Sequence, residues 1–134
     1  MKLTEKTIRI ACAMDDATHL TKEHFGSARF YFIYELDHRG TLTFVERVEN
    51  TSVKEKIHGD PRKASSVSAL LNGASVLLCC AMGRNVTRMR KKYCPVVTTG
   101  TDLIIALNML KEQYYVLLEQ VQRTPGVDRR IIRI

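Results

Sequence analysis

The residues of this chain best suited to chemistry form a short run, Glu23-His24-Phe25-Gly26, about ten residues past an apolar segment, Ile8-Arg9-Ile10-Ala11-Cys12-Ala13-Met14. A neutral imidazole is the commonest protein ligand for a transition metal. A glycine two residues on lets the backbone turn sharply and approach a bound object closely. Read alone, His24 is either such a ligand or a loop histidine that packs locally.

Other candidates lie further along. His58 offers a second imidazole in a polar loop, and Cys80 a thiolate at the end of an apolar run, the alternative being a small buried side chain. Met82-Gly83-Arg84 then joins that run to a basic helix. Gly83 permits close approach, Arg84 supplies a cation, and helix N-terminal amides there would receive an anion. Met82 is a core side chain or a thioether donor. His19 shares the His24 loop at a spacing that fixes no geometry outside a helix. Asp15 and Asp16 read as orienting the loop by accepting amide hydrogen bonds.

The four cysteines, Cys12, Cys79, Cys80 and Cys94, form no Cys-x-x-Cys pair, which excludes a zinc finger or a disulfide scaffold. There is no nucleophile–base pair, phosphate-cradling glycine loop or dinucleotide fingerprint. A two-metal nuclease needs several convergent carboxylates, and the buried strand before Met82 supplies none. The expectation is a binding protein and not an enzyme.

The elements that must position these residues follow from periodicity. Residues 7–14 read as a central strand with both faces covered. Residues 30–36 and 42–48 alternate as a β-hairpin about the turn Asp37-His38-Arg39-Gly40. Asp60-Pro61 opens a helix as N-cap and first helical residue, with Ala64, Val67, Leu70 and Leu71 inward. Ser75–Ala81 reads as a buried parallel strand, followed by the basic helix and a short strand, Pro95–Thr98. A last helix of about five turns, capped by Thr101, carries Leu103, Ala106, Leu107, Leu110, Tyr114, Leu117, Leu118 and Val121 at a 3.6-residue period. The order β-β-β-α-β-α-β-α predicts an α/β fold with a mixed five-stranded sheet flanked by helices. Ligands of open α/β sheets sit beyond the carboxyl ends of the strands. Three loops, Asp15–Gly26, Met82–Asn85 and Thr98–Thr101, would meet there, placing His24 beside Gly83.

At 134 residues the chain is one domain by length, expected as a unit over 1–122 with a basic C-terminal tail over 123–134. In that tail, alternating apolar residues up to Ile134 either add an edge strand or leave a loose end. The net charge of +7 is concentrated, with five basic residues and no acid from Arg84 to Lys92 and four arginines against one aspartate from Arg123 on. Such clusters favour an anionic partner, whether a small anion, an anionic metal cluster or nucleic acid. No apolar run approaches the ~20 residues of a membrane helix, and Met1–Lys6 lacks a signal-like stretch, so a cytoplasmic location is expected. Tyr115 and Val116, apolar on the last helix, allow a homodimer.

The blocks Ile8-Arg9-Ile10-Ala11 with Asp15-Asp16, Glu23-His24-Phe25-Gly26-Ser27-Ala28-Arg29-Phe30, Tyr34-Glu35-Leu36-Asp37, Ala81-Met82-Gly83 and Pro95-Val96-Val97-Thr98-Thr99 with Thr101-Asp102 resemble a known family. It is the dinitrogenase iron–molybdenum cofactor biosynthesis family, with its NifX-like domains and the related C-terminal part of some cofactor-assembly enzymes. The resemblance runs from about Ile8 to Leu110. It implies a ribonuclease-H-like fold and a non-catalytic carrier of a metal–sulfur cluster, the iron–molybdenum cofactor or a precursor, that meets assembly or acceptor proteins. The family's cluster-binding histidine falls on His24, with Phe25, Gly26, Met82, Gly83 and Arg84 around it. Many members have two glycines where this chain has Cys80-Ala81, so Cys80 either narrows the pocket or adds a thiolate. A basic, non-nucleolytic nucleic-acid-binding or regulatory module is the alternative function.

Overall fold

The computed structural model describes residues 6–52, 54, 59–71 and 73–134. Among the described residues the strands and α-helices follow in the order β1 (Ile8–Met14), β2 (Phe30–Leu36), β3 (Leu42–Glu49), α1 (Pro61–Leu70), β4 (Val76–Cys79), α2 (Val86–Met89), β5 (Cys94–Val97), α3 (Leu103–Lys111), α4 (Tyr114–Val121) and β6 (Ile132–Arg133). They build a single mixed sheet in the order β3-β2-β1-β4-β5-β6. Strands β1, β4, β5 and β6 run parallel, and β2 is antiparallel to both β1 and β3.

Alternation along β1 divides the core in two. Ile8, Ile10, Cys12 and Met14 face α3 and α4, packing with Leu103, Leu107, Leu110 and Leu117. Ala11 and Ala13 face the other way, where Phe25, Tyr31, Val67, Leu71 and Met89 gather beneath α1 and α2. The small side chains on that face let α1 and the His24 loop lie close to the sheet. The hairpin turns where expected, with Gly40 at φ +83°, a left-handed conformation that suits glycine. Asp60 caps α1 by accepting the Arg62 amide at 3.0 Å, with Pro61 in the first turn.

Several expectations are corrected. The sheet has six strands and not five, because Ile132 and Arg133 pair in parallel with Val96 and Val97. Ile132 is buried there, so the alternating tail gains core contact by pairing with the otherwise open edge of β5. β4 is limited to Val76–Cys79, and α2 is a single turn. Asp102, not Thr101, caps α3, its carboxylate accepting the Ile105 amide at 2.9 Å. The last helix is two helices: at Glu112–Gln113 the backbone leaves the α-helical path, and the Gln113 amide donates to Leu110 O at 2.9 Å. The break sits at the polar run Lys111-Glu112-Gln113, where no apolar side chain holds the helix to the sheet. Leu103, Ala106, Leu107, Leu110, Tyr114, Leu117 and Leu118 nonetheless all reach the core.

Candidate functional site

Strands β1, β4 and β5 end on the same edge of the sheet, and their following loops are hydrogen-bonded to one another. The Phe25 amide donates to Ala81 O at 3.0 Å, and His24 lies in a parallel bridge with Ala81. From the same loop the Leu20 amide donates to Thr101 O at 2.7 Å, and the Leu103 amide returns to Thr18 O at 3.1 Å. The expected convergence of the three loops is therefore present in backbone bonds.

His24 is held by its neighbours and not by its own side chain. Phe25–Ser27 forms one 3-10 turn, closed by the Ser27 amide donating to His24 O at 2.9 Å. Phe25 is fully buried against Tyr31, with ring centroids 5.0 Å apart, and the Tyr31 hydroxyl donates to Phe25 O at 2.9 Å. From the end of β3, the Asn50 amide group donates to Gly26 O at 3.0 Å and Ala28 O at 2.7 Å. A buried aromatic and two side-chain donors thus fix the turn, and His24 projects from it exposed. Asn50 and Tyr31 did not emerge from the sequence. Their role depends on pairing across β2 and β3, which no local motif announces.

Gly83 stands directly against the imidazole. A Cβ at this position would lie 2.8 Å from His24 Nδ1 and 3.2 Å from Cγ. At Gly26 the close approach is instead to α1, where a Cβ would meet Lys63 Cε at 3.3 Å and Val67 Cγ2 at 3.4 Å. One glycine seats the imidazole and the other seats the helix.

Two depressions share His24, Met82 and Gly83. The first is a narrow crevice running under α1, with Phe25, Gly26, Ala64, Val67 and Met89 among its walls. The second is an open basin of about 330 Å3 lined by His24, Met82, Gly83 and Arg84. His24, Phe25, Gly26, Met82, Gly83 and Arg84 are thus brought together. Cys80 is not: its Sγ donates toward Gly100 O at 3.3 Å on the far side of the loop, and its thiol packs against the α3–α4 core. Burial pushes the Cys80 thiol above its usual value, with Lys22 pulling weakly the other way. His58 lies outside the described residues. At the start of α2, which is one turn, the Val86 amide is used internally, donating to Gly83 O at 3.0 Å. Among the residues lining the basin, Arg84 is the cationic side chain.

Beside the basin, Asp15, Asp16, His19, Lys22 and Glu23 line a more polar depression. Asp16 accepts the Thr18 amide at 2.9 Å and the His19 amide at 2.8 Å, with His19 Nδ1 3.0 Å away. The Thr18 bond, then the His19 side chain, hold its carboxyl down at about 2. Asp16 therefore does organise the loop. Among the described residues no three His, Cys, Asp or Glu side chains converge as a cage for a lone metal ion.

Fold and edge together define a class: an α/β domain whose mixed sheet gathers three loops at the carboxyl ends of its parallel strands. Comparison narrows that class. Residues 6–113 match the family described as dinitrogenase iron-molybdenum cofactor, and the chain belongs to that family. No curated protein and no solved structure matches it. No helix among the described residues is long and apolar enough to cross a membrane.

Proposed function

We propose that this protein binds and carries an anionic metal–sulfur cluster, the iron–molybdenum cofactor, its precursor or a related molybdenum or iron–sulfur species, without transforming it. The observation that carries the reading is the exposed His24 imidazole, seated on Gly83 in an open basin that Arg84 and Met82 also line. The donor set suits such a cargo. One imidazole nitrogen can coordinate a metal at the cluster surface, the Met82 thioether is a soft neighbour, and the Arg84 guanidinium offsets negative charge. The basin is open and the crevice narrow, so a bulky cluster would rest on the surface at His24 and not enter beneath α1. A single protein ligand makes release to an acceptor easy, whereas a thiolate cage would retain the cluster.

The lining residues support binding and not turnover: beside one imidazole, thioether, glycine and guanidinium supply no pair of carboxylates and no hydroxyl or thiol nucleophile. The strand order β3-β2-β1-β4-β5, with β2 antiparallel, favours a ribonuclease-H-like reading of the fold. Partners would be the proteins that supply and accept the cluster. The test is to incubate the protein anaerobically with isolated iron–molybdenum cofactor, or separately with its iron–sulfur precursor, desalt, and measure metal per chain for wild type and His24→Ala. Metal should co-elute with wild type and fall about tenfold or more in the variant. No co-elution with wild type sinks the carrier reading for those clusters.

A further inference from the structure

Residues 84–92 and 123–134 together hold nine basic residues against one acid, a net of +8 in a chain whose formal net charge is +7. The remainder of the molecule is close to neutral. These two segments are far apart in sequence, yet the fold joins them. The Gly126 amide donates to Lys91 O at 3.1 Å and the Arg129 amide to Arg90 O at 2.8 Å, while Arg90 Nε donates back to Arg129 O at 2.8 Å. Arg129, 4% exposed, clamps the junction: its guanidinium donates to Val127 O at 2.9 Å, to Arg123 O at 3.0 Å and to Lys91 O. Ile132 is buried on the α3–α4 side, so alternation sends exposed Arg133 to the sheet face that α2 covers.

The joined segments gather exposed cations into a basic stripe: Arg84 in the His24 basin, Arg88 on α2, Lys91 and Lys92 just after it, and Arg133 on the adjoining tail. Several of its cations are fixed: Arg88 donates to Gly59 O at 2.7 Å and Asn85 Oδ1 at 2.8 Å, and Lys91 lies 3.2 Å from Asp128. Neither segment contains a Phe, Tyr or Trp, so the stripe has no platform on which bases could stack. It does contain an exposed apolar residue, Val127, among the tail arginines. An apolar contact inside a charged rim is the pattern of a protein–protein interface.

We propose that this stripe docks an acidic face of another protein, the one that gives or receives the cargo, and so brings that partner's cluster site against His24. The inference rests on the carrier reading for what is exchanged, but the docking surface itself is testable without any cluster. The probe is a short fluorescein-labelled peptide of repeating Glu-Glu-Leu, compared with single-stranded DNA and RNA oligonucleotides of equal length. Binding to the full chain is followed by anisotropy at about 50 and about 200 mM salt. The peptide should bind more tightly than either oligonucleotide at the higher salt. Reversing charge at both ends of the stripe (Arg84→Glu with Arg133→Glu) should weaken it about tenfold, and Val127→Asp should weaken it separately. His24→Ala should leave peptide binding unchanged, although it abolishes metal retention under the carrier reading. Tighter oligonucleotide binding, no peptide binding, or peptide binding indifferent to all three stripe substitutions overturns the proposal. Peptide binding by a wild-type protein that retains no metal overturns the carrier reading and leaves the surface standing.

Discussion

His24 and Gly83 are matched: the imidazole occupies the space that any side chain at position 83 would need, with a Cβ there 2.8 Å from Nδ1. Because the ring is exposed, the conflict in Gly83→Ala resolves by displacing His24 and not by disrupting the core. Unfolding stability should change by less than about 1 kcal/mol. Metal retention should drop about as far as in His24→Ala, read by metal analysis on desalted protein beside a urea titration. Full retention by the alanine variant would dissociate the glycine from the site.

Asp16 governs the order of the same loop. Its carboxyl is lowered from an ordinary 3.8 to about 2 by the Thr18 amide and His19. A depressed carboxylate stabilises the fold fully above its unfolded value, and that contribution is lost as pH falls through the folded one. Protection of the Thr18 and His19 amides from hydrogen exchange should therefore hold at neutral pH and fade between about pH 4 and about pH 2. Asp16→Asn should lack the acid transition and show weaker protection at neutral pH.

The four thiols should separate cleanly. Cys12, Cys79 and Cys94 are fully buried, and burial pushes Cys79 and Cys94 up to about 12 and Cys12 higher still. Iodoacetamide on the native protein should modify Cys80 alone, at a rate that rises with pH because burial raises this thiol too. Mass spectrometry of the digested product checks the position. Labelling of Cys12 or Cys79 before Cys80 would contradict the packing.

Arg129 is the buried clamp of the β6 edge, bonded only to carbonyls among the contacts described. Arg129→Ala removes those donors from part-buried acceptors and should cost about 1–2 kcal/mol in urea unfolding. Exchange at Ile134, whose amide donates to Val97 O at 3.0 Å, should accelerate more than exchange in β1. An unchanged Ile134 rate would show that β6 is held without the clamp.

Much of this architecture was legible because its signals are local. The Asp60-Pro61 helix start, the Asp37–Gly40 turn and the two-sided burial of β1 each follow from residues within a few positions of one another. Convergence of the His24, Met82 and Thr98 loops also followed, since parallel strands put their carboxyl ends on one edge. What escaped was long-range or marginal. β6 is two residues long and exists through pairing with β5. The α3–α4 break leaves the apolar period undisturbed, so periodicity cannot reveal it. Asn50 acts on Gly26 from the far end of a hairpin. Cys80, in line with His24 by sequence order, turns toward Gly100 because neighbouring residues on an extended chain face opposite ways.

The central claim is that the His24 imidazole touches the cargo. The direct measurement is pulsed electron paramagnetic resonance on protein grown with isotope-labelled histidine and loaded anaerobically with isolated iron–molybdenum cofactor in a paramagnetic state. A histidine-nitrogen coupling to the cluster should appear in wild type and vanish in His24→Ala. Loaded wild type without such a coupling, or an equal coupling in the variant, would remove His24 from the site.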